Sequence, residues 1–182
     1  MVKSKATLDL IKRYFPMFYL HCSKQLLDRV PSGVNEPAGK GDNILGNWYA
    51  KAIFSKPQVA LFVNERTLLP VLMPLAPASN LVERFPQYLF KILLSQGVSE
   101  SFMQQELNHL EKVIYCKSTN RSIIGILNMF TYHLEGYQSM HYADDCYSLS
   151  MMMADTPCGP LYKSTITPGN ALREFASSGQ IH

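Results

Sequence analysis

The stretch WYAKAIFSKPQVALFVNERTLLPVLM, residues 48–73, decides the fold. It holds three apolar runs separated by two short interruptions. Trp48 to Phe54 is rich in aromatic residues and suits a pleated, half-buried surface. Lys56-Pro57 breaks it, and Gln58 to Val63 forms a second run. Asn64-Glu65-Arg66-Thr67 is turn chemistry, after which Leu68 to Met73 returns as a third. Strands joined by such short connections pair antiparallel, because a parallel return needs a crossover of a dozen residues or more. Pro70 has no N–H to give to a ladder, so its strand belongs at a sheet edge or a bulge.

Downstream of this meander the apolar period changes from strand-like to helical. Asn80 with Glu83 opens a helix whose buried stripe is Leu81, Val82, Phe85, Leu89, Ile92 and Leu93. Ser99 caps a second helix running to about Leu110. Val113 to Cys116 reads as a short buried strand. Residues 120–136 are apolar on most sides of their first half, which predicts a central buried helix. Helices are also expected near Asp144 to Ala154 and Ala171 to Ala176. Upstream, Phe18 to Cys22 is a strand, and Ser23 is a good N-cap for a short helix with Leu26, Leu27 and Val30. Residues 31–47 carry glycine and proline without an apolar period, so they form a long loop.

Strands first, then helices with one later strand, give an α+β fold. The expected architecture is an antiparallel meander sheet of about four to five strands, with helices covering one face. No βαβ alternation points to a doubly wound sheet. Pro16 separates a helical extension, residues 1–16, from a single α+β domain over residues 17–182.

Composition limits the function classes. Of the 182 residues 47% are hydrophobic and 17% charged, a globular rather than a disordered balance. Apolar runs such as Val59 to Val63 and Ile123 to Leu127 fall far short of the roughly 20 residues of a bilayer span. Lys3, Lys5, Asp9, Lys12 and Arg13 interrupt any signal-peptide core. A soluble, cytoplasmic protein with no membrane partner is expected. Cys22, Cys116, Cys146 and Cys158 form no CxxC pair and read as four reduced thiols. The net charge of +3 is scattered, with no run of five basic residues. Nucleic acid is therefore compatible with the charge but unsupported by it.

The segment Lys117-Ser118-Thr119-Asn120-Arg121-Ser122 leaves a strand and opens a helix. The first N–H groups of a helix lack internal partners, and its dipole draws anions. Lys117 and Arg121 add charge, Thr119 and Ser122 add hydroxyls, and Arg121, Gly125 and Asn128 share a helix face. Lys117, Thr119, Asn120, Arg121, Ser122 and Asn128 are thus the candidate binding residues. The competing reading is structural: Thr119 or Asn120 caps the helix, Arg121 pairs with a carboxylate such as Glu65, and Gly125 admits a neighbouring helix. Asn64, Glu65, Thr67 and Trp48 are a second set, able to support a site or serve only the turn and the core.

Catalytic residues are not identifiable. GxGxxG, Walker A, GxSxG and HExxH patterns are absent. His133, His141, Asp144, Asp145 and Cys146 match no zinc spacing, so neither metal nor cofactor is expected. His21 and Cys22 are neighbours in a strand and point to opposite faces, so they cannot form a dyad.

Several segments together resemble a family of small uncharacterised bacterial proteins. They are Phe18 to Leu27, Gly46-Asn47-Trp48-Tyr49-Ala50, and Leu61-Phe62-Val63-Asn64-Glu65-Arg66-Thr67-Leu68-Leu69. The fourth is Thr119-Asn120-Arg121-Ser122-Ile123-Ile124-Gly125 with Asn128. The similarity spans about Met17 to Pro160. Lys51 stands where such proteins often carry Asn, and Met129 where they carry an acidic residue. The family is a domain of unknown function, so the resemblance implies no substrate, cofactor or catalytic role.

The residues favour a non-catalytic binding or regulatory module of the bacterial cytoplasm. Its partner, an anionic ligand or a protein, would dock at the helix start over residues 117–128. The rival is a metal-independent enzyme acting on a phosphate-bearing substrate such as RNA, with Arg121 stabilising charge and a histidine as acid–base. A toxin–antitoxin component is a third possibility. A cleft holding Arg121, Asn120 and a histidine or carboxylate would favour the enzyme, and an exposed apolar patch the binding module.

Overall fold

The computed structural model describes residues 17–31, 39–143 and 145–178. The expected extension over residues 1–16 lies outside them. The chain folds as β1 (Met17–Cys22), α1 (Lys24–Leu27), β2 (Trp48–Ile53), β3 (Val59–Asn64) and β4 (Pro70–Pro74). There follow α2 (Leu81–Ser95), α3 (Glu100–Asn108), β5 (Lys112–Lys117), α4 (Arg121–Ser139), α5 (Cys146–Ala154) and α6 (Pro168–Ser178). The α+β class read from the sequence is the one observed.

The five strands lie in the order β4-β3-β2-β1-β5. β2, β3 and β4 form the expected antiparallel meander, and Pro70 opens the edge strand β4. The rest of the sheet departs from the expectation, because β1 pairs in parallel with both β2 and β5. That pairing joins segments far apart in the chain, with three strands and two long helices between β1 and β5, and leaves no short-range turn signal. It sets one register line that matters below. His21 stands level with Tyr49 on one side and Cys116 on the other.

Helices cover both faces of the sheet, not one. On the first face Phe18, Leu20, Trp48, Ala50, Phe62 and Val71 meet α2 and α3. Phe85 of α2 packs its ring 4.3 Å from Phe62 and 5.0 Å from Trp48. On the second face Tyr49, Leu61, Val63 and Leu72 meet Ile123, Ile126, Leu127 and Phe130 of α4, with Leu149 and Met153 of α5. Strands covered on both faces lose the polar alternation that would have revealed it, as the fully buried Val59–Asn64 shows. The helix expected near 120–136 is present as α4, but it is amphipathic. Its outer side leaves Arg121, Gly125, Asn128 and Tyr132 exposed.

At the end where β2 begins, the polar residues are bonded to one another. Asn64 is fully buried. Its Nδ2 donates to the Leu45 carbonyl at 2.9 Å. Its Oδ1 accepts from the N–H groups of Arg66 and Thr67 and from the Thr67 hydroxyl. Glu65 accepts from Asn47 N–H at 2.9 Å. Glu106 of α3, also fully buried, accepts from Asn43 Nδ2 and Leu45 N–H, both at 2.9 Å. Gly46 lies in this loop at φ +76°, and a Cβ there would come within 2.8 Å of Glu65 Oε1. Only glycine fits a left-handed turn that close to a carboxylate.

Candidate functional site

The site follows from where the chain goes after β1 and β5. These parallel neighbours end side by side, Cys22 level with Lys117. After β1 the chain turns into α1, whose Leu26 joins the core of the first face. After β5 it turns into α4, which packs on the second face. Connections that diverge from adjacent parallel strands open a crevice at their carboxyl ends, where open sheets with parallel strands commonly bind ligands.

A cleft of about 170 Å³ occupies this crevice. It is lined by Cys22, Ser23 and Lys24 from the end of β1, Lys51 from β2, Lys117 and Ser118 from the end of β5, and Ile124, Leu127 and Asn128 from α4. The backbone continues the sheet ladder into it: Ser23 N–H donates to Ala50 O and Ser118 N–H to Cys22 O. The hydroxyls of Ser23 and Ser118 are shut off from solvent and have no hydrogen-bond partner. A buried hydroxyl left unpaired costs about 1–3 kcal/mol, so two at one cleft are unusual.

The charge around them is positive. Lys51 Nζ donates to Asn128 Oδ1 at 3.0 Å, tying the sheet to α4. An ammonium has three donors, so two remain for another acceptor. Lys117 is exposed. Lys24 is held by Asp28 at 3.1 Å. Among the described residues no carboxylate lies within ion-pair distance of Lys51 or Lys117.

Of the residues singled out in the sequence, Lys117 and Asn128 line the cleft, whereas Thr119, Asn120, Arg121 and Ser122 do not. Asn120 is the N-cap of α4, and its Oδ1 accepts from Ser122 N–H at 3.0 Å and Ile123 N–H at 3.3 Å. The free donors at the helix start are therefore largely used by its own cap. Arg121 is exposed and does not pair with Glu65, whose carboxylate serves Asn47. Gly125 faces open space: a Cβ added there would meet nothing within 4 Å, so the glycine admits no neighbouring helix. Asn64 and Thr67 close the β3–β4 turn, and Trp48 is core.

Sequence reasoning misses Lys51, Ser23 and Ser118. Lys51 draws notice in the sequence only through the resemblance, which leads one to expect Asn there. Ser23 reads as a helix cap, yet its side chain makes no cap bond. His21 is a further residue whose setting the sequence conceals. It is 2% exposed, both ring nitrogens lack a hydrogen-bond partner, and it stacks on Tyr49 with ring centroids 4.4 Å apart. Burial pushes its pKa down, and the Glu65 carboxylate pulls it part of the way back. Burial raises the Tyr49 pKa, Glu65 adds to that, and the Asn120 side chain against its hydroxyl opposes it. By strand alternation His21 lies on the same side as Ser23, about 7 Å before it. Among the described residues no three metal-ligating side chains converge, and no helix is long and apolar enough to cross a membrane.

No curated protein and no solved structure matches the chain significantly. A family model, a domain of unknown function designated DUF6933, matches residues 19–171. That span runs from β1 through the crevice to α6, and the chain accordingly belongs to the DUF6933 family.

Proposed function

We propose that the chain is a non-catalytic binding or regulatory module that holds a small anionic ligand in the crevice between β1, β5 and α4. One observation carries this reading. The enclosed, unpartnered hydroxyls of Ser23 and Ser118 sit beside Lys51 and Lys117, which have no counter-carboxylate among the described residues. Polar groups of this kind are expected to be satisfied, and a bound anion would supply an acceptor beside Lys51. The helix start contributes the wall of the cleft rather than its donors.

The rival reading, an enzyme acting on a phosphate-bearing substrate, draws on His21. It lacks a reacting pair in the cleft, since neither a histidine nor a carboxylate is among the described lining residues. A reducing, cytoplasmic setting goes with the binding reading, in which the four cysteines stay as thiols.

Thermal melts in sulfate or phosphate against chloride at equal ionic strength test the proposal. Both oxyanions should raise the melting temperature of the parent. The increment should disappear in Lys51→Gln/Lys117→Gln and persist in Arg121→Gln. Loss of the increment only in Arg121→Gln would return the site to the helix start. No increment in the parent would remove the anion site altogether.

A further inference from the structure

We infer that the chain pairs with a second copy of itself through the outer face of α4, the two α4 helices lying antiparallel about a two-fold axis. The inference does not rest on the anion site. Arg121, Gly125, Asn128, Tyr132, Glu135 and Gly136 recur at helical spacing and form one exposed stripe. The opposite side of the helix buries Ile123, Ile126, Leu127, Phe130 and Leu134 in the core of the second face. Tyr132, in the middle of the stripe, is 75% exposed.

Nothing inside the fold accounts for the composition of this stripe. Gly125 and Gly136 both lie within the 19 residues of α4, and only proline is less favourable than glycine in a helix interior. Neither has the positive φ that demands glycine, and a Cβ at either would meet nothing of the same chain within 4 Å. What a bare helix position does offer is close approach to another surface. The charges of the stripe are likewise unused: among the described residues neither Arg121 nor Glu135 has an ion-pair partner.

The stripe is complementary to itself. In a two-fold pairing, the contact that residue i makes with residue j is repeated by j with i. With the axis between Asn128 and Met129, Gly125 of each copy faces Tyr132 of the other. The same axis sets Arg121 against Glu135, across the bare backbone of Gly136. One placement thus puts the bulky ring over an open glycine and the cation beside the anion, each at both ends. An unrelated partner would have to supply both complements, whereas this chain already carries them. A single helix pair falls short of the roughly 1,200–2,000 Å² of a standard stable interface, so the dimer is reversible and concentration-dependent.

Sedimentation equilibrium of the full chain over a range of concentrations tests the pairing. The parent should pass from monomer to dimer as concentration rises. Gly125→Gln places a side chain where the ring of the second copy would sit, and should raise the dissociation constant by about tenfold or more. Its melting temperature when dilute should not fall, because the added side chain has open space and glutamine favours a helix. Arg121→Glu and Glu135→Arg each set like charges against one another and should each weaken the dimer. Mixing these two variants restores an opposite pair at both ends, so the mixture should pair better than either alone, and the double reversal in one chain should recover the parent affinity. A parent that stays monomeric at its highest soluble concentration would overturn the inference. A dimer untouched by Gly125→Gln and by both charge reversals would overturn the choice of face. A mixture that pairs no better than its components would overturn the antiparallel arrangement.

Discussion

The two ends of the sheet differ in how many of their polar atoms are satisfied. Where β2 begins, Asn64, Thr67, Asn47, Asn43, Glu65 and Glu106 bond to one another and to the backbone of the loop over residues 43–47, although Asn43 Oδ1 and the Trp48 ring N–H are left without a partner. At the carboxyl ends of β1 and β5, Ser23 and Ser118 enclose their hydroxyls without a partner, and two lysines line the same cleft without a carboxylate. A closed network fixes a shape, because each buried donor that loses its acceptor carries its full desolvation penalty. An open set retains unfilled bonding capacity, which a ligand can use. The first end is architecture, and the second is where the proposed ligand would bind.

The largest expected effect tests the closed end. Asn64→Ala removes the acceptor for two backbone N–H groups and a hydroxyl, and the donor to Leu45 O. Its cost should be about 3–4 kcal/mol by chemical denaturation, at the upper end of single substitutions. A cost under about 1 kcal/mol would mean that water replaces these bonds, and that the end is not closed.

A smaller effect concerns pH, in which Glu106 and His21 act in opposite directions. Burial raises the Glu106 pKa, against the opposing hydrogen bonds from Leu45 N–H and Asn43. The folded chain then keeps this proton after the unfolded chain has released it. Its stabilising contribution is full below the ordinary carboxylate value of 4.5 and is lost as pH rises through the folded value. His21 is the reverse, because burial lowers its pKa from 6.5. Its contribution is full above 6.5 and is lost as pH falls through the folded value. Glu106→Gln should flatten the loss of stability on the rising side, at a cost of about 1–3 kcal/mol because one of two donors loses its acceptor. His21→Phe retains the stack on Tyr49 and should flatten the acid side alone. Unchanged pH profiles in both variants, followed by denaturant melts across pH, would show that neither group titrates differently on folding.

The β3–β4 turn of the closed end is legible in the sequence, whereas its Asn43–Glu106 link, across 63 positions, and the open end are not. Asn64 to Thr67 announces a turn by local chemistry, and its hydrogen bonds span only two or three residues. The meander follows from short connections, and the start of α4 from Asn120 as a cap. The crevice depends instead on pairings that no local signal specifies. Ser23 and Ser118 become neighbours only because β1 and β5 pair in parallel across almost a hundred residues. Lys51 reaches Asn128 across 77 positions. The helix start draws notice because its residues are contiguous. The lining of the cleft comes from four separate segments, and of the six candidate binding residues only Lys117 and Asn128 belong to it.

The most direct measurement of the central claim is a phosphate titration followed by amide and side-chain chemical shifts in two-dimensional NMR. The account predicts shifts concentrated at Ser23, Lys51, Ser118 and the Asn128 side chain, with Asn64, Thr67 and Glu106 unmoved. Shifts confined to Arg121 and Ser122, or to the turn over residues 64–67, or the absence of any saturable shift at the crevice, would contradict it.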